Sequence, residues 1–219
     1  MTVRHRGALA AMAAGVAALT IATVVACGSR PAEDVGAGEA AALASATPTT
    51  TAPEGPSVPV NAGSLPAAGA VVPPVRLRIP PIGVTATVDP VGINPRTGEF
   101  EVPPSVDQVG WYRHGPGLEA GTGSVVIAGH VDSAEQGKGA FFRLRELDRG
   151  DLLTATGSDR RERRFRVVAR EEYAKTRIPL DRYFARDGSP RLTLITCGGP
   201  FDAKTRHYRD NIVVTAVPT

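Results

Sequence analysis

Apolar and polar positions alternate in short runs along the C-terminal two-thirds of this chain, and turn signals rich in Pro, Gly and Asn separate the runs. A period of two predicts β-strands with one buried face. One stretch, Ala140–Leu147, instead has apolar residues at helical spacing. This pattern predicts an all-β sandwich or barrel with a short helix. The predicted strands are Val75–Ile79, Gly83–Val88, Ser124–His130, Asp151–Thr156, Arg164–Arg170, Arg191–Cys197 and Asn211–Val217.

The N-terminus has the pattern of an export segment. Arg4 and Arg6 precede an uncharged stretch from Gly7 to Gly28. As a helix, residues 8–26 would span about 28 Å, close to the roughly 30 Å hydrocarbon core of a bilayer. The stretch has two interpretations: an uncleaved transmembrane anchor, or a lipoprotein signal in which Cys27 is lipidated. Both place the rest of the chain outside the cytoplasm and attached to the membrane.

Composition divides the remainder of the chain. Residues 29–72 are rich in Ala, Pro, Gly, Ser and Thr, and all eleven Phe, Tyr and Trp residues lie further on. A segment without aromatics buries too little apolar surface to offset its ordering entropy, so it predicts a disordered tether. We therefore expect a leader at 1–28, a linker at 29–72 and a folded domain at 73–219.

The formal net charge of +3 is modest. Its densest cluster is the arginine-rich run 160–166, which fits either a solvated hairpin or attraction to anionic wall or lipid groups. The remaining charges are dispersed, and we predict no nucleic-acid partner.

The chain has two cysteines, and they do not predict a disulfide. Cys27 belongs to the N-terminal segment, whereas Cys197 ends an apolar strand in the folded zone and is followed by Gly198-Gly199-Pro200. An exported free thiol is exposed to oxidation. Either Cys197 is a small buried hydrophobe or it carries chemistry at the junction of a rigid strand and a loop.

A thiol nucleophile needs a partner that transfers protons and a cation or N–H group that stabilises the oxyanion. His130 ends the apolar strand Val125–Gly129, a position that matches Cys197, whereas the other histidines lie in the leader, a loop and a polar stretch. Arg209 directly precedes the last strand, and pairing of the last two strands would bring it near Cys197. Arg206 is its nearest competitor.

The motif Thr193-Leu194-Ile195-Thr196-Cys197 resembles the T-L-x-T-C signature of sortases, and Ile127-Ala128-Gly129-His130 resembles their histidine strand. Arg209 falls where that family has its essential arginine. The Cys-Gly-Gly-Pro run, followed by Tyr-Arg-Asp-Asn, is most similar to class F, actinobacterial-type sortases. The resemblance spans roughly residues 75–217.

This resemblance implies an eight-stranded β-barrel with one or two short helices. It also implies a cysteine transpeptidase that cleaves an L-P-x-T-G-like sorting signal through a thioester on Cys197. His130 would protonate the leaving amine, Arg209 would stabilise the oxyanion, and Thr196 would support substrate or oxyanion geometry. The implied partners are surface proteins with a sorting signal and an amine acceptor such as a peptidoglycan precursor. The implied location is the outer face of a bacterial membrane.

Other functions fit fewer of these features. Papain-like peptidases have Cys before His, and caspase-like enzymes need alternating helices and strands. A non-catalytic β-barrel lipoprotein that binds wall polymer or a partner protein remains the alternative from another class. No cofactor is indicated, and His130, Asp132 and Cys197 lack the tight spacing of a metal site.

Overall fold

Side chains that alternate between a buried and an exposed face build ten strands in the computed structural model, which describes residues 33–45 and 71–219. Turns and two short helices connect the strands. The strands are β1 Pro74–Ile79, β2 Val84–Val91, β3 Val109–Tyr112, β4 Ser124–Gly129, β5 Asp132–Ser133, β6 Gly137–Lys138, β7 Leu152–Gly157, β8 Glu162–Ala174, β9 Arg191–Asp202 and β10 His207–Pro218. The helices are α1 Ala37–Ser45 and α2 Leu180–Tyr183, with 3-10 turns at Pro80–Ile82 and Leu144–Glu146.

Eight strands close into a barrel in the order β1-β2-β3-β4-β9-β10-β8-β7, and β5 and β6 form a separate hairpin. Neighbouring strands are antiparallel except at β2–β3 and β4–β9, which are parallel. The predicted all-β barrel with short helices is confirmed. Pairing of β9 with β10 is also confirmed, and it aligns Cys197 with Asn211.

The inward faces of the strands form one apolar core. Trp111 and Phe141 are its largest aromatic contributors, and both are almost fully buried. The burial of the strand residues Trp111, Leu77, Leu194 and Val214 fixes the register of their strands because a one-residue slip would expose each of these faces.

A helix lies inside the segment predicted to be a disordered linker. In α1, Ala40 is buried against β8, and Val35 exchanges two backbone hydrogen bonds with Arg170. The expectation of disorder is therefore wrong for residues 33–45, because contacts with a distant strand stabilise a segment whose own composition does not.

The predicted helix at Ala140–Leu147 is also wrong. The Ala140 and Phe141 amides donate to the carbonyls of Val106 and His130, so they bond to distant parts of the chain. Only a 3-10 turn, Leu144–Glu146, forms there.

No helix within residues 33–45 and 71–219 combines the length and the apolarity that a bilayer crossing requires. The apolar run 8–26, Cys27 and residues 46–70 lie outside the described residues, so the predictions made for them stay predictions.

Candidate active site

The parallel seam between β4 and β9 brings the predicted nucleophile and its histidine together. The register pairs Ala128 of β4 with Ile195 of β9. Two residues further along each strand, His130 and Cys197 therefore stand at the same level. Both side chains line one open cavity of about 770 Å³. Cys197 is a half-buried free thiol.

Thr196 joins the middle of β9 to the end of β4. Its Oγ1 donates to the carbonyl oxygen of Gly129 over 2.8 Å, and the side chain is buried. Thr196 immediately precedes Cys197, and Gly129 immediately precedes His130. The bond therefore fixes the spacing of the two residues that follow it.

The His130 ring is held by a backbone carbonyl. Its Nε2 lies 3.0 Å from the oxygen of Pro103. A carbonyl oxygen only accepts, so this hydrogen bond requires the proton to be on Nε2. Nδ1 then carries the free lone pair of the neutral ring.

Gly139 allows the loop after His130 to fold back against it. A side chain at this position would overlap the carbonyl group of His130. The Gly139 amide donates to Val131, and the Phe141 amide donates to His130. The glycine therefore lets the β5–β6 hairpin form one wall of the cavity next to the histidine.

Gly199 produces an irregularity directly after the nucleophile. It has a φ of +70°, and the β9–β10 register shifts between the pairs Gly198–Asp210 and Phe201–Tyr208. A Cβ at Gly199 would collide with the Asp210 carboxylate. This β-bulge redirects the chain beyond Cys197, as bulges beside active sites commonly do.

Tyr208 and Cys197 line both the large cavity and a second one of about 320 Å³. The Tyr208 hydroxyl donates to Asp132 over 2.5 Å, and its ring packs edge-on against Phe201. The hydrogen bond to Asp132, helped by burial, raises the pKa of Tyr208 to about 12. The second cavity is more apolar on its floor, where Phe141 and Ile212 lie.

Arg209 does not line either cavity. Its guanidinium is mostly exposed and lies 3.4 Å from Asp202. A hydrogen bond from the backbone N–H of Lys204 is the main cause of the lowered pKa of Asp202, so this carboxylate is a negatively charged partner for Arg209. Arg206, the competitor, lines the large cavity with His130 and Cys197. The structure thus brings together Cys197, His130 and Thr196 and leaves Arg209 at the rim.

Comparison with known families gives a clear result for most of the chain. The model of the sortase domain matches residues 77–219. The chain belongs to the sortase family.

Solved sortases share the barrel. The lid mutant of sortase A from Corynebacterium diphtheriae aligns with a TM-score of 0.51 and 21% identity, covering 69% of this chain and 73% of that one. A pilus-related sortase C of Group B Streptococcus aligns with a TM-score of 0.51 and 14% identity, covering 67% of each chain. Sortase C-1 from Actinomyces oris aligns with a TM-score of 0.50 and 20% identity, covering 66% of this chain and 72% of that one. At these identities the likeness shows the fold. A search among curated proteins finds no significant match.

The sequence does not predict two contacts of this sortase site. One is the contact of the Pro103 carbonyl with His130, and the other is the hydrogen bond from Tyr208 to Asp132. Pro103 acts through its carbonyl, which any residue possesses, so no sequence signal marks it. Tyr208 and Asp132 are 76 residues apart. The aromatic residue beside Arg209 was a usable signal, since aromatics in this chain are few.

A buried polar network holds the β8–β9 loop of this sortase. The Glu171 carboxylate accepts from Tyr173 at 2.7 Å, Tyr183 at 2.8 Å and Arg182 at 2.5 Å. Burial is the main cause that raises the pKa of the Tyr183 hydroxyl. The network ties α2 to β8, so the loop that leads into β9 and Cys197 is anchored.

Proposed function

We propose that this chain is a sortase-type cysteine transpeptidase that cleaves an L-P-x-T-G-like sorting signal and transfers it to an amine. One observation carries the proposal: Cys197, within β9, and His130, directly after the paired strand β4, stand at the same level and line the same cavity. A thiol and an imidazole placed together in an open cavity fit nucleophilic acyl transfer.

The reaction starts with proton transfer from the Cys197 thiol to Nδ1 of His130. The thiolate then attacks the carbonyl carbon of the Thr–Gly bond. As the tetrahedral intermediate collapses, the C–N bond breaks, and the leaving amine takes the proton from Nδ1. The acyl group is now a thioester on Cys197, and the Pro103 carbonyl has held Nε2–H throughout.

Resolution reverses these steps with a different amine. The incoming amine attacks the thioester carbonyl and loses a proton to Nδ1 of His130. Cleavage of the C–S bond releases the transpeptidation product, and the thiolate recovers the proton. Water in place of the amine would give hydrolysis.

Arg209 is proposed as the cation that holds the substrate and stabilises the oxyanion. Asn211 pairs with Cys197, so Arg209 lies two residues away on the neighbouring strand, a diagonal that long side chains reach. Substrate binding would exchange the exposed contact with Asp202 for the substrate carbonyl. Thr196 supports the geometry by holding Gly129, as described above.

The class F, actinobacterial subtype is part of the proposal and is supported by the Cys197-Gly198-Gly199-Pro200 run and the Tyr208–Asn211 run. We further propose that the enzyme works on the outer face of a bacterial membrane, held there by the transmembrane segment or by a lipid on Cys27. Its partners would be surface proteins with a sorting signal and a peptidoglycan-type amine.

The test is incubation of the full chain with an L-P-x-T-G-type peptide and a small amine, with products separated by mass. We expect the new amide product from the wild type and none from Cys197→Ala or His130→Ala. Normal binding of wall polymer by a Cys197→Ala protein, without any amide product from the wild type, would instead identify a binding module.

A further inference from the structure

A second charged feature lies on the outer surface of the barrel. Strand β7 is flanked by β1 and β8, and the register aligns Arg78 of β1, Thr154 of β7 and Arg164 of β8 in one row. Arg76 and Arg166 lie on the same outward positions of their strands. Neighbouring strands are about 4.8 Å apart, so arginines on β1 and β8 are about 10 Å apart across β7. We call Arg76, Arg78, Arg164 and Arg166 the basic face.

The basic face carries a net positive charge. All four side chains are exposed. Within the part of the chain that the structure describes, none of the four takes part in an ion pair. Glu162 is exposed beside this face, and the register places it in one row with Arg76, on the other side of Thr156. Four guanidinium groups beside a single carboxylate leave a net positive surface, which favours binding to an anionic surface.

The face lies opposite the active site. In the barrel order, β8 and β10 separate β7 from β9 on one side, and β2 and β3 separate β1 from β4 on the other. The β7–β1 seam is therefore diametrically opposed to the β4–β9 seam, which carries His130 and Cys197. Whatever binds the basic face leaves the catalytic cavity open on the far side.

The position of the N-terminal segment indicates which anionic surface the basic face would contact. Val35 pairs with Arg170 of β8. Arg170 lies beyond the last residue pair between β7 and β8, about 13 Å along β8 from Arg166. Only six residues, 27–32, separate the apolar run 8–26 from Glu33, and they span at most about 21 Å. On the proposed function, in which the run spans the bilayer or Cys27 is lipidated, this length of chain limits how far Glu33 can lie from the membrane.

We propose that the basic face rests on the headgroups of an anionic phospholipid bilayer and orients the Cys197 cavity away from the membrane. Guanidinium groups bind phosphate oxygens bidentately, and the threonines between them add hydroxyl donors. Two apolar side chains on the same strands, Val75 and Leu152, are 43% and 52% exposed and are placed to enter the interface. The docked segment 33–45 sets the distance, and the basic face sets the orientation.

The test is arginine footprinting of the full chain with phenylglyoxal, read residue by residue by mass spectrometry. The chain is presented on vesicles of 30% phosphatidylglycerol in phosphatidylcholine, and on phosphatidylcholine alone. Each arginine at an anionic surface contributes about 1 kcal/mol, so we expect modification at the basic face to fall about fivefold on the anionic vesicles. Arg96 and Arg177, exposed arginines in other loops, are the internal controls and should not change.

The protection should disappear when salt shortens the screening length well below the roughly 10 Å of 0.1 M salt. The fourfold variant R76Q/R78Q/R164Q/R166Q should keep its turnover of a soluble peptide, and its Leu152 region should lose hydrogen-exchange protection on anionic vesicles. The proposal is overturned by equal modification on both kinds of vesicle, by equal protection of Arg96 and Arg177, or by protection with soluble polyphosphate but not with vesicles. The last result would identify an anionic polymer as the partner.

Discussion

Replacing Thr196 by valine tests whether the Thr196–Gly129 bond between β9 and β4 positions Cys197 and His130. Valine keeps the shape of the buried side chain but leaves the Gly129 carbonyl without the donor that it has at 2.8 Å. An unsatisfied buried carbonyl costs about 1–3 kcal/mol. For a domain of this size, each 1 kcal/mol lowers Tm by roughly 2–4 °C, so we expect a fall of about 4–8 °C for the middle of that range.

The effect on activity should exceed the effect on stability. A displacement of about 1 Å between reacting groups costs up to about 10²-fold, so kcat/KM should fall roughly 10- to 100-fold in Thr196→Val at a temperature well below its Tm. Thr196→Ser keeps the hydroxyl and should stay within about threefold of the wild type.

Thr193 offers a matched control on the same strand. Its Oγ1 is 2.7 Å from Ser124 Oγ, so it also joins β9 to β4, and it is fully buried. It lies four residues before Cys197, about 13 Å along the strand. Thr193→Val should cost similar stability and leave kcat/KM unchanged. Equal losses of activity in Thr193→Val and Thr196→Val, or full activity in a folded Thr196→Val, would refute positioning by Thr196.

Three further predictions concern residues around the site. Arg209→Ala should lower kcat/KM at least about 10²-fold, as expected for an oxyanion donor, whereas Arg206→Ala should cost less than about fivefold; steady-state kinetics that reverse this order would transfer the role to Arg206. Asp132→Asn should move the pKa of Tyr208 from about 12 toward its ordinary value of about 10, as read from tyrosinate absorbance. In the wild type the neutral phenol is the form that donates to Asp132. The bond therefore stabilises the fold below about pH 10, and this stabilisation is lost as the pH rises through about 12. Glu171→Ala removes a buried carboxylate that three donors share and should lower unfolding stability by about 3–5 kcal/mol in thermal or urea unfolding; a loss below about 1 kcal/mol would show that the network is dispensable.

The strands and the proximity of His130 and Cys197 could be predicted from the sequence because both leave local signals. Burial of one face imposes alternation on β4 and β9, and a polar residue at the end of each apolar run marks His130 and Cys197. Strand β3 was missed because Val109–Tyr112 has only four residues, and Gly110 breaks the alternation within them.

Long-range contacts account for the errors. Segment 33–45 looks disordered by composition, but the backbone of Val35 pairs with Arg170 across 135 positions of sequence. Helical spacing at 140–147 is real, yet the Leu144 and Glu146 amides each bond three residues back, so 3-10-type turns form there, and distant contacts of Ala140 and Phe141 fix the segment. Neither contact has a counterpart in local composition or periodicity.

Peptide mapping of the trapped thioester tests whether Cys197 carries the acyl intermediate. The full chain is incubated with an L-P-x-T-G-type peptide without added amine, acid-quenched and digested. We predict a single acyl adduct on Cys197, in which the peptide ends at its threonine. Hydroxylamine should release this adduct, and His130→Ala should not form it. Cys27 in the same chain is the internal control for non-specific acylation. An adduct on Cys27 alone, equal adducts on both cysteines, or no adduct with any sorting-type peptide would contradict the account.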